Sequence, residues 1–454
     1  MTAAGPSADV RAPTALPRRV LAGYALGSLV TGAFGTVPGL LLLPYLTDTL
    51  GVAAGVAGLL VLVPKAWDVV ANPVAGRLSD RRGVRRPFLL GGGLAVAVLF
   101  AAMFAGPFRP GAAAGMYVAV AFLATATAYA LFQVPYVAMP AELTPDYAER
   151  TRVMSWRIAV LALAILVSGA LAPLVVNATG GGRTGHRWAG AFVAGLIVVG
   201  TLATYFGTRR AESRIAPESE PTLRAQLAVA AGNRPFRALL IAFVVQAAGI
   251  GTMLAGVQFF AAHVIGDATG ATYLFAAFVG PALLVMPLWT RAGRKLGKLR
   301  SLVVASLLFA AGGLALLTAP VVPAVLVYVT TAVIGVGYAG QQVFALAMLA
   351  DCIGLDTERT GRRQAGVFTG LWTAGETLGL ALGPGIYALI LQLFGYVSSS
   401  TGTAAAQDAT ARLGVLLGFS VVPAVLVGAA VGLLGPYRDA GPRSDAVHVP
   451  PSVG

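Results

Sequence analysis

Charged residues are scarce in this sequence. Asp, Glu, Lys and Arg make up 11% of its 454 residues, whereas a soluble domain contains about 25%. Hydrophobic residues make up 57%, and the mean hydropathy is +0.79. A water-soluble globular domain is therefore excluded. We expect an integral membrane protein, because lipid must solvate most of such a chain.

Cysteine and histidine are also scarce. The single cysteine, Cys352, excludes an intramolecular disulfide. The three histidines are far apart, and none joins carboxylates at a spacing that would hold a metal. A multi-span hydrolase or transferase would need a nucleophile with a base, or a metal-binding carboxylate cluster. We therefore expect no metal, no cofactor and no enzymatic activity.

The chain has a net charge of +14, an excess that nucleic-acid-binding proteins also show. In a membrane protein the same excess fills cytoplasmic loops and sets the orientation. Four arginines lie in loops opposite the termini and Lys65 lies within a helix, which leaves 27 of the 32 lysines and arginines on the side of the termini. We predict a multi-pass protein of the cytoplasmic membrane with both termini cytoplasmic, a lipid-bilayer environment and no nucleic-acid partner.

The apolar runs predict an all-α integral membrane protein with twelve transmembrane helices in two six-helix bundles. The predicted helices cover 21–47, 51–76, 87–106, 113–139, 157–177, 188–206, 238–264, 272–290, 301–318, 323–349, 365–395 and 413–435. The predicted domains are a disordered cytoplasmic N-terminus (1–20), an N-terminal bundle (21–206), a cytoplasmic linker (207–237), a C-terminal bundle (238–435) and a cytoplasmic tail (436–454).

Two basic loops repeat between the halves. "GRLSDRRGVRR" follows the second predicted helix, and "PLWTRAGRKLGK" follows the eighth. An internal repeat of this kind is typical of a transporter whose site lies between its halves. The first loop resembles the signature loop of the major facilitator superfamily, because it fits G-x-x-x-D-R-x-G-x-R-R at Gly76, Asp80, Arg81, Gly83, Arg85 and Arg86. The resemblance implies a conformational latch between the bundles; the alternative is that these arginines only fix the topology.

A narrower resemblance covers most of the chain. It is carried by "GYALGSL" and "PYLTDTLGV" in the first helix, "WDVVANPVAGRLSD" in the second, "FQVPYVAMPAELTPDYAERTRVMSWR" from the fourth to the fifth, and "LADCIGLDTERTGRRQAGVFTGL" before the eleventh. These segments resemble the glycoside–pentoside–hexuronide cation symporter family, which includes the melibiose permeases. The resemblance implies the major facilitator fold and a small-molecule substrate carried together with a cation.

Among the acidic residues, only Asp68 and Glu376 lie well inside predicted membrane helices. Charges at that depth are costly and usually face the bundle interior. Lys65, Asp68 and Asn72 follow one another at i, i+3 and i+7, so they share one face of the second helix. This face is either part of a coupling site or a neutralising Lys–Asp pair.

The family resemblance implies roles for several of these positions. In the melibiose permeases, carboxylates on the second and fourth helices bind the coupling cation; Asp68 matches one of them, whereas Asn72 and Gln133 stand at the other two. One titratable group serves a proton better than a sodium ion, so we expect proton coupling, if the solute is coupled at all. The sugar-binding acidic residue of the first helix falls at Gly32, the arginine of the fifth helix is retained as Arg157, and a lysine of the eleventh helix falls at Thr377.

Glu376 and Trp372 are four residues apart, and a carboxylate beside an indole can bind a sugar or a cationic amphipathic molecule. Gln258 and Gln342 either bind a polyhydroxyl solute or bond a neighbouring helix. We predict a monomeric secondary transporter of a sugar-like or glycoside solute that moves with a proton by alternating access. The alternative is an exporter or flippase of an amphipathic molecule such as a lysolipid, drug or natural product.

Overall fold

A computed structural model describes residues 16–82, 85–106, 109–144, 146–209, 232–361, 365–400, 405–435 and 437. The first half contains α1 (Arg18–Leu26 and Ser28–Pro44, continued by a π-helical turn at Tyr45–Thr49), α2 (Ala54–Ala66 and Asp68–Arg82), α3 (Arg86–Phe104), α4 (Ala112–Leu143), α5 (Tyr147–Ala178) and α6 (Gly182–Thr208). The predicted N-terminal segment up to residue 15 and linker residues 210–231 lie outside the described residues.

The second half contains α7 (Arg234–Phe260, continued by a π-helical turn at Ala261–Ile265), α8 (Gly270–Leu284 and Met286–Leu296), α9 (Lys298–Ala315, continued by a 3₁₀ turn at Leu316–Val321), α10 (Ala324–Thr360), α11 (Ala365–Leu393) and α12 (Ala409–Phe419 and Val421–Gly432). Of the predicted tail, only residue 437 is described. The described chain is entirely helical between its loops, which confirms the predicted fold class.

Prolines account for the sharpest bend. α8 bends by 56° at Val285, between its two segments, because Pro281 and Pro287 lack the backbone N–H that a continuous helix needs. By length and composition the described residues contain eleven helices able to cross a membrane, and α8 is the twelfth when its two segments count as one span. The sequence predicts α8 as a single segment over 272–290, so its bend is a finding of the structure.

The same helix packing occurs in both halves. In the first half, α1 packs on α5 and α6, α3 on α4 and α6, and α2 on α4. In the second half, α7 packs on α11 and α12, α9 on α10 and α12, and α8 on α10. The halves meet where α2 contacts α11, where α5 contacts α8 and where α1 contacts α7. The predicted two-bundle architecture is therefore confirmed.

The end of the bundle where α1 ends and α2 begins, here called the distal end, is sealed between the halves. Hydrogen bonds that cross between the halves there run from Gly55 N–H to Gln392 Oε1 (3.1 Å), Tyr396 O–H to Asp48 Oδ1 (2.9 Å), Ser398 O–H to the Val52 carbonyl (2.8 Å), Ser399 N–H to the Thr47 carbonyl (2.9 Å), Asn177 Nδ2–H to the Ala268 carbonyl (3.2 Å) and Thr272 O–H to the Ala170 carbonyl (3.2 Å). The structure is thus a distal-closed state.

Candidate functional site

A cavity of about 480 Å³ lies between the two halves. Helices α1, α2, α4 and α5 line it from the first half, and α7, α8, α10, α11 and α12 line it from the second. On α2 the lining runs from Lys65 to Asn72, whereas the sealing contacts of α2 begin near Gly55. The cavity therefore lies proximal to the distal seal, towards the end where α1 begins.

The polar face predicted for α2 lines this cavity. Lys65 Nζ lies 3.3 Å from Asp68 Oδ2, and the side chain of Asp68 is 4% exposed. The other oxygen of Asp68, and Asn72 Oδ1, have no hydrogen-bond partner among the described residues. Buried acceptors are normally paired, so these two oxygens retain unused hydrogen-bonding capacity. The ion pair and the open acceptors lie on one face, as the i, i+3, i+7 spacing predicts.

Arg157 on α5 and Gln133 on α4 complete the polar wall of the first half. The Arg157 guanidinium carbon lies 5.4 Å from the centre of the Tyr136 ring, and the Arg157 carbonyl accepts a hydrogen bond from Ser28 (3.0 Å). Contacts to α1 and α4 thus fix this arginine. Arg157 Nε and Gln133 Oε1 are buried without a hydrogen-bond partner within the described part of the chain. Together they offer one donor and one acceptor to a solute.

The second half contributes a separate acidic site. Glu376 on α11 and Gln342 on α10 line the cavity, with Thr373 and Thr377 nearby. Gln342 Nε2 donates to the Tyr338 hydroxyl at 2.9 Å, and the Tyr338 ring stacks on Phe278 of α8 with centroids 5.1 Å apart. The acidic group and an aromatic pair therefore line the same cavity.

The rest of the second-half wall is apolar. Side chains of α7 and α8 dominate it, among them Met253, Val257, Phe275, Phe278, Leu283 and Met286. Most pockets for small molecules combine an apolar wall with a few polar groups that fix orientation. In this cavity most of the apolar surface lies on the second half, whereas polar groups lie on both halves and three of the four charged side chains lie on the first.

Three residues predicted to bind the solute do not present a side chain to this cavity. Trp372 is 3% exposed and stacks on Phe243 with centroids 4.0 Å apart, so it lies in the core and not among the cavity-lining residues. Gln258 is also absent from the lining of the described cavity. Gly32 does line it, but a Cβ at that position would lie 2.7 Å from the Cβ of Ala164. Residue 32 therefore serves the close approach of α1 to α5 instead of presenting a side chain to a solute.

The predicted latch loop is described only in part. Gly76 lies within α2 and Arg86 begins α3, whereas Gly83 and the side chains of Asp80 and Arg81 lie outside the described part. Arg85 Nε forms an ion pair with Glu142 Oε1 at 2.6 Å, and its Nη1 donates to Ser79 Oγ at 2.6 Å. Glu142 lies in the last turn of α4. This pair links the α2–α3 connection to the end of α4 within the first half, and the latch itself stays a prediction.

A distal cluster was not predicted as a site. Tyr396 donates to Asp48 Oδ1 at 2.9 Å, and His263 Nε2 lies 3.0 Å from the same hydroxyl. Burial, and secondly the neighbouring Asp48 carboxylate, raise the pKa of Tyr396, so this hydroxyl stays protonated and can donate. The cluster joins α1 of the first half to α7 and the α11–α12 loop of the second. Sequence patterns gave no signal for it because the three residues are far apart in the chain.

Comparisons with known proteins agree with this architecture. The chain is similar to a glucuronide carrier protein homolog of Escherichia coli K12, with 27% identity over 85% of this chain and 86% of the relative. It is also similar to an isoprimeverose transporter of Lactiplantibacillus pentosus, with 23% identity over 90% and 87%. Its fold matches the inward-facing crystal structure of a bacterial homologue of the lysosomal transporter Spinster, with a TM-score of 0.69, 14% identity, and 93% and 97% of the two chains covered. The family model described as MFS/sugar transport protein matches residues 23–438, and the chain therefore belongs to this family of the major facilitator superfamily.

Proposed function

We propose that this protein moves a glycoside or related sugar-like solute across the cytoplasmic membrane, together with a proton. The observation that carries the proposal is the cavity between the halves, where the Lys65–Asp68 pair adjoins open polar atoms of Asn72, Gln133 and Arg157. Sugar hydroxyls both donate and accept hydrogen bonds, so they complement this mixture of acceptors and a donor. Similarity to a glucuronide carrier protein homolog and to an isoprimeverose transporter supports the same solute class.

The route of transport follows from the position of the cavity. The positive-inside bias makes the proximal end cytoplasmic, so the end that is sealed in this structure is the outer one. Alternating access then requires the distal contacts to break while the proximal ends of the halves close around the same cavity. The domain boundaries proposed from the sequence place the 207–237 linker between the two moving bundles.

Asp68 is the proposed proton carrier. Its partner Lys65 lies 3.3 Å away, so a sodium ion bound at Asp68 would also face the positive charge of the lysine. Asn72 and Gln133 carry no charge and cannot offset that repulsion. A proton needs no further ligand, and it removes the negative charge of Asp68 and so breaks the pair. Lys65, which also lies 5.4 Å from the centre of the Phe34 ring, is then free to change partner.

Ligand-dependent thermal unfolding in detergent tests the proposal. Glycosides, pentoses, uronates and lysolipids are compared at low and neutral pH, with and without sodium. A ligand at 100 times its Kd stabilises the folded protein by about 2.7 kcal/mol. We expect stabilisation by a sugar that depends on pH in the wild type and in the control Asp267→Asn, whose exposed carboxylate lies in the α7–α8 connection, but not in Asp68→Asn. Stabilisation by lysolipids alone, unaffected by Asp68→Asn, would contradict symport and favour the amphipathic exporter that the apolar α7–α8 wall also suits.

A further inference from the structure

The carboxylate of Glu376 has no role in the proposed proton coupling. It lies at membrane depth on α11 and lines the cavity. Asp68 has Lys65 as its ion-pair partner, whereas among the described residues no lysine, arginine or histidine pairs with Glu376. A charged group at this depth either pairs with another charge or marks the path of a solute. Glu376 therefore fits a role towards the solute.

An aromatic pair lines the same cavity as this carboxylate. The amide of Gln342 donates to the Tyr338 hydroxyl at 2.9 Å, and the Tyr338 ring stacks on Phe278 with centroids 5.1 Å apart. A cation is attracted by the face of an aromatic ring as well as by a carboxylate. The combination is the arrangement that binds an ammonium group on an apolar carrier.

The charges of the cavity are distributed between its two walls. Lys65 and Arg157 give the first-half wall an excess of positive charge over Asp68, and Glu376 gives the second-half wall a negative charge. The apolar side chains of α7 and α8, including Phe275 and Met286, form much of the second-half wall. A solute that fits both walls has a polyhydroxyl part at the first half, and an apolar part with a positive group at the second half.

We propose that the solute is a glycoside whose aglycone carries a protonated amine, and that Glu376 binds this ammonium group beside Tyr338. The proposal rests on the proposed transport function, because it names a chemical group of the same solute. Glu376 is then a specificity-determining residue, because it favours glycosides with a protonated amine on the aglycone over neutral glycosides of the same shape. The sugar part contacts Asn72, Gln133 and Arg157, as in the proposed function.

The test uses pairs of probes that differ only in the charge. One member is a 4-(aminomethyl)phenyl β-glycoside, protonated at neutral pH, and the other is the 4-(hydroxymethyl)phenyl β-glycoside of the same sugar. Glucose, galactose, xylose and glucuronic acid head groups are each tested. Affinity is measured by calorimetry on the purified full-length protein. We expect the amine to bind about tenfold or more tightly than the alcohol for the accepted sugar, since hydrogen bonds to charged groups are the strong ones.

Two variants assign that preference to the site. Glu376→Gln should bring the ratio of amine to alcohol affinity close to one, whereas the control Asp267→Asn should keep the wild-type ratio. Tyr338→Leu keeps the carboxylate and removes the ring, so the ratio should fall by about two- to fivefold, which gives a second readout if Glu376→Gln does not fold. A wild-type ratio near one, or a preference for the amine that survives Glu376→Gln, would overturn the inference while leaving glycoside transport intact. Binding of neither member with any sugar would overturn the proposed function and this inference with it.

Discussion

The distal seal depends on a hydroxyl group that can be removed without changing the shape of the side chain. In the distal-closed state the Tyr396 hydroxyl donates to Asp48 at 2.9 Å across the two halves and contacts His263 at 3.0 Å. When the distal end opens, Asp48 and Tyr396 move apart and water hydrates both. Tyr396→Phe therefore destabilises the closed state specifically, because it leaves Asp48 without this donor only while the seal is closed.

The expected change in the ratio of distal-open to distal-closed protein follows from the strength of the lost hydrogen bond. A typical hydrogen bond contributes about 0.5–1.5 kcal/mol, and one to a charged group about 1.5–3 kcal/mol. We take about 1.5 kcal/mol, where the two ranges meet. This value multiplies the ratio of distal-open to distal-closed protein by about tenfold.

Thiol labelling from outside measures that ratio. Val257 lines the cavity on α7 and is 6% exposed, so a cysteine there reacts with a membrane-impermeant reagent added at the distal side only when the seal opens. The experiment uses Val257→Cys in a Cys352→Ala background, in oriented vesicles. We expect Tyr396→Phe to raise the labelling rate about tenfold. Tyr328→Phe is the matched control, because the Tyr328 ring packs edge to face against Tyr273 within the second half, with centroids 5.9 Å apart. A rate in Tyr396→Phe that matches the control would refute the account of the seal.

Other regions allow simpler tests. Gly32→Ala should lower thermal stability by about 1–3 kcal/mol, since a Cβ there would lie 2.7 Å from an α5 side chain; Gly35→Ala, which meets open space, should not, and equal losses would contradict the helix-packing role. In a double-mutant cycle, Arg85→Gln and Glu142→Gln should be coupled by about 1 kcal/mol or more, since the pair is largely buried at 2.6 Å; strictly additive losses of stability would argue against it. Cys352, with 0% exposure, should resist thiol-reactive dyes until the protein unfolds, and rapid labelling at room temperature would contradict its burial.

The positions of the membrane-spanning helices and the polar face of α2 could be predicted from the sequence. Long apolar runs have no stable alternative to a helix in lipid, and helical periodicity fixes which residues share a face. Lys65, Asp68 and Asn72 therefore line one cavity as predicted. Breaks within helices were harder to predict, because prolines at 281 and 287 permit a bend but packing against α10 decides its angle.

The composition of the second-half wall could not be predicted in full. Trp372 and Glu376 are one helical turn apart, yet Trp372 stacks on Phe243 in the core and Glu376 faces the cavity. Helical periodicity predicts that Trp372 and Glu376 lie on the same side of α11. It does not show that the boundary between the interface with α7 and the cavity runs between them. Tyr338 was missed for a related reason, since an aromatic residue in an apolar helix gives no signal of facing a solute.

In the proposed mechanism the solute and a proton pass through one cavity, in which Asp68 carries the proton. Proteoliposomes that contain the purified protein test it most directly, with a glycoside that stabilises the protein and an imposed pH gradient. We expect wild-type protein to accumulate the glycoside above its outside concentration. Asp68→Asn should only equilibrate it, while still exchanging labelled for unlabelled glycoside. Accumulation by Asp68→Asn equal to that of the wild type would contradict the claim.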